Sequence, residues 1–132
     1  MGLSTEDQLA IQQLYARYNH AIDSGNGAAW AACFSADGVF SSASGTFTGT
    51  EALAGFATAF GSRMKARHWI NNLVINAAGD GAATGSCYLA LFLLNPGEKP
   101  PANVLTTAIY NDELAKQGGE WRFTKRTVTG DA

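Results

Sequence analysis

The chain has 132 residues, 46% of them apolar and 11% aromatic, with nine basic against eleven acidic side chains. That length supports one hydrophobic core, so residues 1–132 read as a single domain, and the composition excludes disordered and fibrous classes. A formal charge of −2, with no basic cluster longer than Lys125-Arg126, leaves nucleic acid without an electrostatic footprint, and the longest apolar run, Tyr88 to Leu94, is too short to span a bilayer.

The leading residues carry acidic charge and run into an amphipathic stretch, unlike the apolar core of a signal peptide, so a cytoplasmic location is expected. Cys33 and Cys87 have neither CxxC spacing nor paired histidines nearby. They read as buried free thiols, and no metal site is expected.

Ser4, Thr5, Glu6 and Asp7 are helix-start residues, with Thr5 to Gln8 at the spacing of a capping box. Ile11, Leu14, Tyr15, Tyr18 and Ile22 then recur at intervals of three and four, a buried stripe opposite Gln12, Gln13, Arg17 and Asn19. This helix should end near Ser24-Gly25-Asn26-Gly27. A short second helix is expected over Ala28 to Phe34, then a turn at Ser35–Gly38 into a strand pair around Val39-Phe40 and Thr46–Thr48. Gly49-Thr50-Glu51 opens a third helix, to about Ser62, with Leu53, Phe56 and Phe60 on one side.

Four long strands follow, near Ala66–Asn76, Ala82–Leu94, Val104–Leu114 and Glu120–Val128, with a proline-bearing connection at Asn95–Asn103. Helices first and a meander of antiparallel strands last predict an α+β fold in which helices cover one face of a bent sheet. The strand from Ala66 alternates ambiguously, with His68, Ile70, Asn72 and Val74 on one face and Trp69, Asn71, Leu73 and Ile75 on the other. Polar side chains among apolar ones on an inward face suggest the wall of a cavity. The apolar run Leu89 to Leu94 is more than so few helices can cover on both faces, so the outer sheet face is expected to bury a partner, giving a homodimer.

Only His20 and His68 can titrate near neutrality. His20 lies toward the polar side of the first helix and reads as a surface residue. His68, at a strand start, divides evenly between a satisfied polar residue and a base. Asp23 fits a turn residue, yet its charge is poorly placed at a helix C-terminus. Arg126 alternates with Arg122 and Thr124, a solvent face unless the strand bulges first.

Ala10–Tyr18, Asp23, Trp30, Phe34–Phe40, His68-Trp-Ile-Asn-Asn72 and Trp121–Arg126 together resemble a SnoaL-like member of the nuclear transport factor 2-like superfamily. The resemblance covers nearly the whole chain and implies a cone-shaped α+β barrel, its curved antiparallel sheet wrapped around the N-terminal helices with an internal pocket. The most similar functional patterns are those of bile-acid 7α-dehydratase, hexachlorocyclohexane dehydrochlorinase and scytalone dehydratase, lyases that need no cofactor.

By that resemblance Asp23 and His68, with Asn72 following, match an acid–base dyad, Tyr18 matches the tyrosine of the bile-acid dehydratases, and Arg126 matches a pocket arginine. The implied activity is a dehydratase-type elimination on a small hydrophobic, alicyclic, steroid-like or polyketide-like molecule. His68 would act as base, Asp23 as its orienting partner, Tyr18 as donor and Arg126 as clamp on a carbonyl or carboxylate, in a pocket dried by Phe40, Trp69 and Tyr110. An isomerase, a cyclase or a non-catalytic binding module would use the same pocket. Ketosteroid isomerase shares the fold, but its first-strand acid would fall near Phe40-Ser41, where there is no carboxylate. Cys87–Leu94 lacks the acid that limonene epoxide hydrolase would need.

Overall fold

The computed structural model describes residues 2–97 and 102–132. The middle of the connection at Asn95–Asn103 therefore lies outside the described residues. The elements are α1 (Thr5–Asp23), α2 (Gly27–Ala31), β1 (Phe34–Ser42), β2 (Gly45–Thr48), α3 (Thr50–Arg63), β3 (Ala66–Ala77), β4 (Ala82–Leu94), β5 (Ala102–Gln117) and β6 (Glu120–Gly130).

α1 begins one residue earlier than a Thr5 cap requires: the Ser4 hydroxyl accepts from the Asp7 backbone N–H at 3.0 Å. Asp7 in turn accepts from Trp121 Nε1 at 2.9 Å and Lys116 Nζ at 3.1 Å, which fastens the helix start to the β5–β6 hairpin. The predicted stripe Ile11, Leu14, Tyr15, Tyr18 and Ile22 is buried throughout. Asn19 departs from the expected water-facing side; it is half-buried, and its Oδ1 is sealed from solvent without a hydrogen-bond partner. Ser24 caps the C-terminus and Gly25 follows at φ 70°, a left-handed conformation suited to glycine.

α2 is shorter than expected. Phe34 already belongs to β1, because Cys33 offers its carbonyl to the Phe123 N–H of β6 at 2.9 Å. The six strands form one curved, unclosed sheet in the order β2-β1-β6-β5-β4-β3. One pairing departs from the antiparallel pattern: β1, antiparallel to β2 on one side, runs parallel to β6 on the other, so the first strand joins the last. All other pairings are antiparallel. The helices lie on the concave side, where Trp30, Tyr15, Tyr18, Tyr110 and Phe123 are buried in a continuous aromatic core.

Three irregularities decide which side chains face that core. In β3, Asn72 and Leu73 both stand opposite the single residue between Tyr88 and Ser86, and Asn72 takes φ 55°. In β5, Leu105 is the extra residue between the partners of Leu91 and Phe92. In β6, Thr124 is the extra residue between Phe123, opposite Leu114, and Lys125, opposite Glu113. Because side chains alternate with period two, each added residue exchanges the faces of everything beyond it.

Candidate functional site

The bulge at Asn72 resolves the ambiguous alternation of β3. His68 and Ile70 before it, and Leu73 and Ile75 after it, turn toward the helices, while Val74 is exposed. β3 is also the edge of the sheet, so the His68 N–H has no strand neighbour on that side. It donates instead to both carboxylate oxygens of Asp23, at 3.2 Å each. His68 Nδ1 lies 2.6 Å from Asp23 Oδ1, with the two side chains only 8% and 12% exposed. The last residue of α1 thus places its carboxylate against the start of β3. Two charge-accepting contacts offset the unfavourable position at a helix C-terminus.

With the carboxylate ionised, it accepts the Nδ1 proton of a neutral imidazole and leaves Nε2 as the basic nitrogen. His68 also lines an internal cavity of about 190 Å³ together with Tyr18, Phe40, Phe60 and Tyr110. The Phe60 ring sits 5.6 Å from the imidazole. On the other side, α1 and the β3 edge leave a groove of about 770 Å³ lined by Asp23, His68, Asn19 and Asn72. His68 is common to groove and cavity, with Asp23 on the groove side.

The structure brings Tyr18, Phe40, His68 and Tyr110 to one cavity and Asp23 behind His68. It does not bring Trp69. That residue follows His68 directly and so points the opposite way, 63% exposed on the convex face with its ring 4.6 Å from Phe92. Trp69 lines the groove at the β3 edge, not the cavity. Asn72 is exposed and lines the groove, not the cavity.

Arg126 requires a different correction. The Thr124 bulge turns it inward, 1% exposed, yet it does not line the cavity. Its Nε and Nη2 donate to the two oxygens of Asp112 at 2.7 and 2.8 Å, a bidentate pair sealed in the core. Tyr15 donates to the same carboxylate at 2.5 Å, a reach made possible by Gly85, where a Cβ would collide with the Tyr15 hydroxyl. Burial alone would lower the Arg126 pKa; the Asp112 carboxylate more than offsets it, and the guanidinium stays charged. Around this pair lie the rings of Tyr110, Tyr18, Phe123 and Tyr15, with the guanidinium carbon 3.6, 4.4, 4.4 and 4.9 Å from their centroids.

Asp112 is the residue the sequence reading missed. Its signal was present: Ala108, Tyr110, Asp112 and Leu114 occupy alternate positions and are all buried, so the acid sits in register with the inward face of β5. Burial also governs the phenols. It raises Tyr18 to about 12 against the opposing pull of the Arg126 charge, and lifts Tyr110 and Tyr15 well above the ordinary phenol range. Among the described residues no group of three His, Cys, Asp or Glu is placed to hold a metal ion, and no helix is long and apolar enough to cross a membrane.

No curated protein matches the chain. Solved structures do. A protein of unknown function from Mycobacterium tuberculosis is 32% identical, over 96% of this chain and 72% of that one, with a TM-score of 0.88. The protein Aln2 from a Streptomyces species is 27% identical, over 98% and 93%, with a TM-score of 0.86. A scytalone dehydratase-like protein from Novosphingobium aromaticivorans, 20% identical over 96% and 85% with a TM-score of 0.82, shares the fold. The family model of the SnoaL-like domain matches residues 4–127, and the chain belongs to that family, within the nuclear transport factor 2-like superfamily.

Proposed function

We propose that the protein is a cofactor-independent lyase that eliminates water from a compact, hydrophobic, hydroxylated ring compound. The observation carrying this reading is the 2.6 Å contact between Asp23 and His68 at the wall of an apolar cavity that also holds Tyr18. His68 Nε2 takes a proton from the carbon next to a carbonyl while Asp23 holds the Nδ1–H and stabilises the imidazolium. Tyr18 donates a hydrogen bond to the carbonyl oxygen as negative charge develops there. The imidazolium then gives its proton to the hydroxyl leaving the neighbouring carbon, water departs, and a carbon–carbon double bond remains. The base is neutral again.

A cavity of about 190 Å³ falls below the roughly 300–1,000 Å³ typical of drug-sized ligands, which favours one or two rings over a steroid nucleus. The same reading has a second copy of the chain cover the exposed aromatics of the convex face. Single-ring and bicyclic β-hydroxy ketones, assayed with wild type, Asp23→Ala and His68→Ala, test the chemistry. His68→Ala is expected to lose about 10²–10⁴-fold in turnover, the usual worth of a positioned base. Activity that survives both substitutions would show that the base is elsewhere, and tight binding without turnover would favour a ligand carrier.

A further inference from the structure

No lysine or arginine among the described residues lines the cavity, and the arginine packed behind its phenols is neutralised. Among the described residues, no Lys, Arg, Asp or Glu lines it; its polar groups are the phenols of Tyr18 and Tyr110, the imidazole of His68, and the hydroxyls of Ser42 and Thr106. Arg126 lies behind the phenol rings, with its charge balanced by the Asp112 bidentate pair.

We propose that Arg126 is a positioning residue, clamped by Asp112 and Tyr15, that fixes Tyr18 as a donor to a neutral substrate oxygen, so that the cavity selects a ketone over a carboxylate of the same shape. The guanidinium lies against both phenol rings, its carbon 4.4 Å from the Tyr18 centroid and 3.6 Å from that of Tyr110, and the two rings meet edge to face at 6.1 Å. Held by these ring contacts at the cavity wall, Tyr18 has its O–H to offer to a ligand there. The phenol is a donor that stays protonated, since burial holds it at about 12. A carboxylate there would find the same phenol donor as a ketone but no uncompensated cation among the described residues of the wall to balance its charge. It would lose its hydration without a counter-charge in return.

Asp112 is therefore the residue that sets the charge preference, although it never touches the ligand. Removing its charge while keeping its shape would leave the guanidinium uncompensated behind the phenols and draw an anion toward them. Tyr15 and the gap at Gly85 serve the same end by fixing the carboxylate that fixes the arginine.

The proposal deepens the elimination reading and rests on it for the role of Tyr18, but equilibrium binding tests it without turnover. Acetophenone and benzoate, matched in shape and differing in charge, are titrated by NMR into the wild-type protein at pH 8. Acetophenone is expected to bind at least about tenfold more tightly, the worth of one good buried hydrogen bond to a neutral acceptor against an unpaired charge. Tyr18→Phe should lose about tenfold for acetophenone. Asp112→Asn, where it folds, should shift the ratio toward benzoate.

Equal affinities, a preference for benzoate, or no binding of acetophenone to the wild type overturns the proposal. Each of those results leaves the Asp23–His68 base free to stand on the turnover assay. Loss of turnover in a protein that still prefers the ketone separates the two readings in the other direction.

Discussion

The two faces of the sheet use their aromatic residues in opposite ways. On the concave face, Tyr15, Tyr18, Tyr110 and Phe123 are sealed around one Arg–Asp pair, and the Tyr15 hydroxyl donates to its carboxylate. On the convex face, Trp69, Tyr88 and Val104 stand more than half exposed beside Phe92. The difference teaches that burial by the chain itself is complete on one side only. A core that holds a charge must pair that charge, whereas an outer wall can leave apolar surface for something else to cover.

The sharpest way to break the inner face is to orphan one of its charges. Asp112→Ala leaves the Arg126 guanidinium buried without a counterion, and a loss of about 3–5 kcal/mol is expected in urea unfolding. Replacing both partners, as Asp112→Leu with Arg126→Met, should cost less than either single substitution because no charge is stranded. A double variant that loses the sum of the two would remove the coupling. Gly85→Ala acts on the same network with a smaller effect: a Cβ in the space of the Tyr15 hydroxyl must displace the ring, and about 1–3 kcal/mol is expected from the overpacking.

How much of this was legible in the sequence differs by element in a physically sensible way. The α1 stripe and the bounds of β4, Ala82–Leu94, follow from local periodicity, and the structure has them where the pattern put them. Asp23 and His68 were paired by the family resemblance, residue type alone leaving both open, and the structure places their side chains in contact. What the sequence hid is what one residue of slippage hides. The bulges at Asn72 and Thr124 reverse inside and outside, so Leu73 and Arg126 turn inward against a strict alternation. The parallel β1–β6 pairing depends on contacts nearly ninety positions apart, beyond any local signal. Asp112 was readable from its register but stands between Asn111 and Glu113, where an acid looks like part of a solvated segment.

Alkaline titration sharpens the inner face further. Unfolded phenols ionise near 10, and burial holds Tyr18 at about 12 with Tyr15 and Tyr110 also raised. A folded pKa above the unfolded one gives stability that is fully present below pH 10 and is lost as the pH rises through the folded value. Stability should therefore fall between pH 10 and 12, by up to about 1.4 kcal/mol per pH unit for each phenol. Tyr18→Phe removes one phenol, so its urea midpoint should decline less steeply over that window than the wild type's. Parallel declines would show that Tyr18 does not titrate with unfolding.

The outer face gives the smallest change in stability and the largest change in assembly. Trp69 makes its ring contact with Phe92 on the convex surface, and the cross-strand rows beside it, Arg67–Phe92–Val104 and Asn71–Tyr88–Ile109, present apolar groups to solvent. If a second copy covers them, wild type sediments as a dimer at micromolar concentration, and Trp69→Lys, which sets a charge on each side of a two-fold contact, sediments as a monomer. At concentrations where both proteins are monomeric, their unfolding free energies should agree to about 0.5 kcal/mol, since a residue 63% exposed contributes little to its own core. A wild type that is monomeric throughout would end the assignment of this face to self-association. A variant that loses stability as a monomer would mean that Trp69 supports the sheet from outside, and the contrast between the two faces would then be one of degree.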